Sequence, residues 1–360
     1  MSETMNRQQI NFAVVEPRSA EIPVPVEKKA LGSARYVTFG EDNQYPNFLL
    51  GCYDECSTLQ SIINGLADYI AGSGFVTGTP DRIINEKREP YLSLVQRCVV
   101  DYLIFGAFSV GVRRNKAHEI AFLDYHDPRT IRLNEDADKA FYCKDWGKST
   151  RTVVTLDMFD PHNTAVDRSE MYVKMPANRT LYGRPMWGSA TKDVMTAIEI
   201  SNFHLSAILN NFVPSAVVNF NNGQPDEETQ KNIEKRLNDK FSGSKKAARL
   251  LVVFNETKEH AVDIQRLAED NFDQRYQALA KSVKENIFIS FRAHPQLFGA
   301  DPERQGFNSV EYEQTFKLFK ETVVKPLQKQ VEAAFAQIGP EWQFELAEFN
   351  IEFDNQNAAI

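Results

Sequence analysis

The chain has 360 residues, 42% hydrophobic and 25% charged, which suits a folded protein with one large core or two to three smaller ones. Its formal net charge of −8 argues against tight, sequence-reading DNA binding, which needs a strongly basic face. It leaves room for DNA as a passenger, because an acidic wall repels phosphate and keeps a moving duplex from sticking.

Residues 1 to about 35 are polar, carry Pro17, Pro23 and Pro25, and lack helical or strand periodicity. They read as an extended arm, either a disordered tail or a strap to a neighbouring subunit. The N-terminus, Met1-Ser2-Glu3-Thr4, has no basic stretch leading into an apolar one, so no secretion signal is expected. The most apolar run, Val99 to Val112, is broken by Asp101 and too short to span a bilayer, so a soluble protein made inside the cell is expected, with no membrane partner.

From Asn47 the apolar residues Leu50, Tyr53, Leu59, Ile62, Ile63, Leu66 and Ile70 recur at helical spacing until Gly72-Ser73-Gly74. Cys52 and Cys56 would share one face of that helix. With Cys98 and Cys143 they read as free thiols in a reducing compartment, since no second close pair or His partner completes a metal set. A second helix is expected over about Pro90 to Phe105. Strands follow at Phe108–Val112 and Ile120–Leu123, joined by a polar turn at Arg114 to Lys116. Further strands are expected at Ile131–Leu133, Ala140–Cys143, Arg151–Thr155 and Met171–Lys174.

After Leu181-Tyr182-Gly183-Arg184-Pro185, a long helix is expected from about Ser189 to Phe212, with Val194, Ile198, Leu205, Ile208 and Phe212 on its apolar side. A small β-α-β module follows: a strand at 216–220, a helix opened by Pro225-Asp226-Glu227-Glu228 and closed near Lys240 and Gly243, and a strand at 249–254. A return helix from about Asp270 to Arg292 carries the stripe Phe272, Tyr276, Leu279, Val283, Ile287 and Phe291. The loop after His294-Pro295-Gln296-Leu297-Phe298-Gly299 reads as mobile. A third helix bears Tyr312, Phe316, Phe319, Val323, Leu327, Val331 and Phe335, and Pro326 should kink it. Phe344 to Phe353 alternates as a strand would.

Enzyme signatures are mostly absent. The glycines at 183 and 188 lack the lysine of a phosphate-binding loop, and there is no zinc-binding helix motif or nucleophile elbow. Asp124, His126 and Asp127 lie close in sequence and form the best metal candidate. Their setting before Pro128 reads more readily as turn chemistry between two strands. Glu311 and Glu313 are too close along a helix to share a face. Arg292 and His294 would either contact phosphate or complement the dipole at a helix C-terminus, with the second reading preferred. No cofactor is expected.

Several stretches in this order resemble the portal proteins of tailed bacteriophages, the class of the HK97 portal and related prophage forms. They are Tyr45-Pro46 with Tyr69-Ile70-Ala71-Gly72-Ser73-Gly74-Phe75; Phe122 to Pro128 with Ile131-Arg132-Leu133; Tyr182-Gly183-Arg184-Pro185 before a long helix; and Phe212-Val213-Pro214-Ser215-Ala216-Val217-Val218. Ile289-Ser290-Phe291 with His294 to Gly299, and Val323-Val324-Lys325-Pro326-Leu327, complete the set, over roughly residues 40 to 335.

The resemblance implies an α+β portal-type fold with little or no crown. It has a mixed wing (36–185), two stem helices (186–213 and 264–293) and an inserted clip (214–263). A tunnel-loop region (294–309) and a long kinked helix with a C-terminal strand returning to the wing (310–360) complete it. It further implies a non-enzymatic subunit of a twelve-membered ring at one capsid vertex, through which double-stranded DNA is packaged and ejected. The implied partners are the large terminase, head-completion or adaptor proteins, and the major capsid protein or scaffold. Asp301, Glu303, Arg304 and Gln305 would face DNA, and Glu227, Glu228, Lys231 and Lys235 would face the terminase. The alternatives are a metal-dependent hydrolase using Asp124, His126 and Asp127, or another phage head protein.

Overall fold

The computed structural model describes residues 22–29, 36–148, 152–163, 169–174, 180–209, 216–220, 228–229, 250–254, 272–299 and 309–350. Part of the stretch expected to be a pattern-free arm is a strand: β1 (Glu27–Lys29) pairs antiparallel with β2 (Val37–Phe39). Three residues are too few for alternation to register in the sequence. A distant anchor holds the strand, because the Glu27 carboxylate accepts the backbone N–H groups of Leu181 and Tyr182 at 3.1 and 3.0 Å.

The single helix expected from Asn47 is two helices, α1 (Tyr45–Glu55) and α2 (Ser57–Ala71). Tyr45 and Pro46 open α1, where proline costs no hydrogen bond. Cys56 between the helices is extended, with φ −100° and ψ 101°. Cys52 and Cys56 therefore do not share one helical face. Both are buried, and burial pushes both thiols up, Cys52 to about 12, which leaves them inert. Beyond α2, β3 (Phe75–Thr77) leads to α3 (Tyr91–Phe105), which stops at Gly106 with φ +73°.

A six-stranded sheet follows, built from β4 (Phe108–Arg114), β5 (Ile120–His126), β6 (Ile131–Leu133), β7 (Lys139–Tyr142), β8 (Val154–Met158) and β9 (Ser169–Lys174). Its order is β5-β4-β9-β8-β7-β6, antiparallel except for β8 beside β9. Arg114, expected in the exposed turn, instead ends β4 in the interior. Its Nε lies 3.2 Å from the Glu170 carboxylate, and its other nitrogens donate to the carbonyls of His118 and Asp160. A turn residue is buried here because β9 brings a matching carboxylate alongside.

Two long helices then leave and return: α4 (Thr191–Leu209), entered through a 3-10 turn at Met186–Ala190, and α5 (Phe272–Ser290). Between them β10 (Ala216–Phe220) and β11 (Leu250–Phe254) pair in parallel, as a β-α-β module requires. Of its expected helix, only Glu228 and Thr229 are described, and both are helical.

The third long helix is α6 (Ser309–Phe319), a π-helical turn (Lys320–Val324) and α7 (Lys325–Ala336). Pro326 has no N–H to return to the preceding turn, and the Lys325 N–H reaches back five residues to the Lys320 carbonyl. The irregularity expected at Pro326 thus takes the form of a π-turn just before it. Phe316, Phe319, Val323, Val331 and Phe335 are buried as their spacing predicts, while Tyr312 and Leu327 are half-buried. The expected C-terminal strand shrinks to β12 (Glu345–Leu346), which pairs antiparallel with β3 and returns the chain to the first helices; residues 351–353 of that expectation lie outside the described residues.

A continuous apolar core joins α1, α2 and α3 to the sheet, to the base of α4 and α5, and to α6 and α7. Among the described residues, no helix is long and apolar enough to cross a membrane.

Candidate functional site

The helical pair α4/α5 is the element that least resembles an ordinary globular core. Its base is firmly seated. Trp187 is fully buried and donates its indole N–H to the Leu103 carbonyl at the end of α3, 3.1 Å away. Val194 on α4 and Val283, Ile287 and Phe291 on or just after α5 are buried as expected, together with Phe288, which the stripe did not include. Asn286 Nδ2 donates to Asp193 across the pair at 2.9 Å.

Away from the base the pair opens to solvent. Residues 201–206 are all exposed, including Phe203 at 51% and Leu205 at 57%, and Leu279 on α5 is 47% exposed. Leu205 and Leu279 were expected in packed stripes. They are not covered because the pair is only two helices thick here, so each helix buries one narrow face against the other. Tyr276 makes that contact, donating its O–H to the Ile200 carbonyl at 3.1 Å while its ring packs edge-on against His204 and tilted against Phe203. Phe203 went unnoticed in the sequence because it falls off the Val194–Ile198 stripe, between Asn202 and His204. The side chains of Ile208 and Phe272, and all of Phe212, lie outside the described residues.

The approach to α4 is locked by two glycines. Gly106 and Gly183 cross so closely that a Cβ on either would overlap backbone atoms of the other's segment. Tyr182 beside them donates its O–H to the Val37 carbonyl at 2.5 Å, accepts the Leu133 N–H, and stacks on Phe39. The hairpin base is therefore tied to β1, β2, α3 and β6 at once.

After α5 the chain turns sharply. Arg292 takes a left-handed conformation (φ +52°) and is exposed, beyond the helix rather than in its last turn. His294 caps the 3-10 turn Pro295–Phe298, its Nδ1 accepting the Gln296 N–H at 3.4 Å. That geometry gives His294 a structural task, while Arg292 stands at the C-terminal end of α5, where its N–H reaches back to the Ile289 carbonyl. Phe298 seats against Gly65 on α2, where a Cβ would lie 2.9 Å from its ring, and Tyr69 donates to the Leu297 carbonyl at 2.8 Å. Gly299 (φ +67°) stands in open space before the loop that ends at α6. Asp301, Glu303, Arg304 and Gln305 in that loop lie outside the described residues, as do Glu227, Lys231 and Lys235 of the inserted module. Glu228 is exposed.

The metal candidate dissolves on inspection of its partners. Asp124 and His126 lie within β5, not in a turn. Asp124 pairs with Arg113 at 2.8 Å, and Asp127 caps the 3-10 turn Pro128–Thr130 while binding the Arg129 guanidinium at 2.6 Å. His126 lies over Gly111, and burial lowers its pKa. Among the described residues, no three His, Cys, Asp or Glu side chains are grouped to hold a metal. A buried acid does lie beneath β5: Asp101 of α3, facing Tyr125, with Oδ2 lacking a partner. Burial pushes its carboxyl up to about 8, with nearby Asp127 adding to the rise.

With this geometry in view, the sequence profile of the family described as phage portal protein matches residues 79–357. Among solved structures, the chain is similar to one from the neck of a native gene transfer agent particle computed with C12 symmetry. That match has a TM-score of 0.53 and 14% identity, over 83% of each chain. It is also similar to a chain from the virion of a native gene transfer agent particle, with a TM-score of 0.51, 14% identity, and coverage of 91% of this chain and 85% of that one. An HK97 family phage portal protein from Corynebacterium diphtheriae matches with a TM-score of 0.51 and 14% identity, over 82% of this chain and 94% of that one. At that identity the likeness is one of fold. No curated protein sequence matches the chain.

Proposed function

The chain belongs to the phage portal protein family, and from that premise we propose that copies of it close into a ring whose central bore carries double-stranded DNA during packaging and ejection. The portal is a structural part of the virion at the capsid vertex. In this proposal the subunit has no catalytic step of its own, and ATP hydrolysis belongs to the terminase that docks on it.

The observation that carries the proposal is the α4/α5 hairpin. It is rigidly seated at its base, yet it exposes Phe203, Leu205 and Leu279 along its length. Apolar residues spaced along a thin hairpin are covered when a like hairpin packs alongside, and repetition of that contact around an axis closes a ring. The twelve-fold symmetry of the similar neck chain supports that arrangement.

The parts then take roles. Residues 36–185 form the wing, 186–213 and 264–293 the stem, and 214–263 the clip. Residues 294–309 form the tunnel-loop region, and 310–360 the long helix and its return to the wing. The clip would meet the terminase and later the head-completion or adaptor proteins, with Glu227, Glu228, Lys231 and Lys235 as contact residues. The major capsid protein or scaffold would meet the ring's periphery. Asp301, Glu303, Arg304 and Gln305 would face DNA without reading its sequence. A ring of twelve has a formal charge near −96, so most of its surface repels phosphate and lets the duplex slide. Assembly would take place in the host cytoplasm.

Light scattering on the purified protein, followed by imaging of the main peak, tests this reading. Twelve 41.0 kDa chains give about 490 kDa and a central hole. A well-folded monomer that persists over a wide concentration range would refute it.

A further inference from the structure

An open cleft of about 560 Å³ lies beside the β6–β7 corner, lined by Asn47, Arg129, Thr130, Lys144, Trp146 and Lys148, with Asp145 the single carboxylate among its described lining residues. Three cations against one acid stand out in a chain whose net charge is −8. Lys144 is exposed and has no partner among the described residues. Arg129 binds Asp127 through Nε and Nη2, which leaves its Nη1 donors uncommitted. Lys148 is exposed, 3.3 Å from Asp145.

Two buried groups behind the cleft reinforce its sign. Arg132 is 1% exposed, and its hydrogen bonds go to the side chain and carbonyl of Asn43 and to the carbonyls of Ile131 and Arg129, none to a carboxylate. Its guanidinium lies 5.1 Å from the Trp146 ring in the cleft wall. A positive charge held in the interior without a counter-ion among the described residues projects its field to the nearest surface with little screening. Gln44, which accepts a hydrogen bond from the lining residue Asn47, has a buried Nε2 with no acceptor among the described residues.

We infer that this cleft binds a carboxylate-rich segment of a partner protein, whose Asp or Glu side chains meet Lys144, Lys148 and the free edge of Arg129. A peptide is favoured over nucleic acid because the cleft offers three cations in a chain whose net charge is −8, whereas tight duplex binding needs a strongly basic face. One copy of the chain forms the whole cleft, so the inference does not depend on the ring proposed above.

The test uses the full-length protein and a fluorescein-labelled octaglutamate peptide, followed by anisotropy. The expected result is saturable, salt-sensitive binding that unlabelled octaglutamate displaces. Affinity should fall about tenfold in Lys144→Glu/Lys148→Glu and by less in Lys144→Gln. Lys192→Glu, a charge reversal at an exposed site on α4, should leave it unchanged. All three substituted side chains are at the surface, and thermal unfolding of each variant checks that folding is intact. Equal affinity in the double variant and the unaltered protein would overturn the inference. So would displacement of the peptide by inorganic phosphate or by a short DNA duplex at equal or lower charge concentration, since either would mark an unselective anion site.

Discussion

Asp101→Asn offers a sharp quantitative test of the packing beneath β5. Asp101 sits in α3 at 7% exposure, faces Tyr125, and leaves Oδ2 unpaired. Its carboxyl is pushed from 3.8 up to about 8 by burial. Because the folded value is raised, the native state keeps a proton that the unfolded chain releases. The contribution to stability is complete below about pH 4 and is lost as pH rises towards about 8. At about 1.4 kcal/mol per unit, the loss across that window is on the order of 5 kcal/mol. Asparagine cannot ionise, so it escapes this loss. It pays about 1–3 kcal/mol for an amide N–H with no acceptor where Oδ2 was. The variant should therefore be less stable than the parent near pH 4 and more stable near pH 8. Calorimetric unfolding of both proteins across the window reads the difference directly. A difference that stays constant from about pH 4 to about 8 would show that Asp101 is ionised in the fold, and the burial argument would fail.

Three further outcomes follow from other parts of the structure. Gly183→Ala places a methyl against the Gly106 carbonyl, backbone to backbone, and should cost about 1–3 kcal/mol by chemical denaturation; a neutral effect would show that the two segments can separate freely. Phe291→Ala empties a fully buried site where α5 meets the core and should cost about 3–5 kcal/mol, with loss of ring formation read by light scattering. Deleting Ala300 to Gln305 should leave ring assembly intact while impairing DNA packaging or retention in a packaging assay, and normal packaging would remove the DNA-facing role from that loop.

Much of the architecture is legible in the sequence because long helices announce themselves by repetition. The α5 stripe at Val283, Ile287 and Phe291 and the later stripe from Phe316 to Phe335 each repeat often enough to fix element, phase and buried face. The hairpin strands at 108–114 and 120–126 and the parallel pair at 216–220 and 250–254 likewise follow from apolar runs and turn residues. The order of these elements is what made the portal family visible, and the family profile covers most of the same span.

The tertiary structure decided the rest, wherever a residue's fate depends on a neighbour far away in the chain. β1 exists because Glu27 reaches amides at 181 and 182, and Arg114 is buried because Glu170 stands on the adjoining strand. The chain breaks at the extended Cys56 although helical spacing continues through it, and α1 and α2 both pack against α3. Leu205 and Leu279 carry the periodicity of buried residues yet lie open on the single chain. Periodicity records which face of a helix prefers to leave water, a property of the local sequence. Whether anything is there to cover that face is a property of the whole fold and, in the proposed ring, of the neighbouring copies.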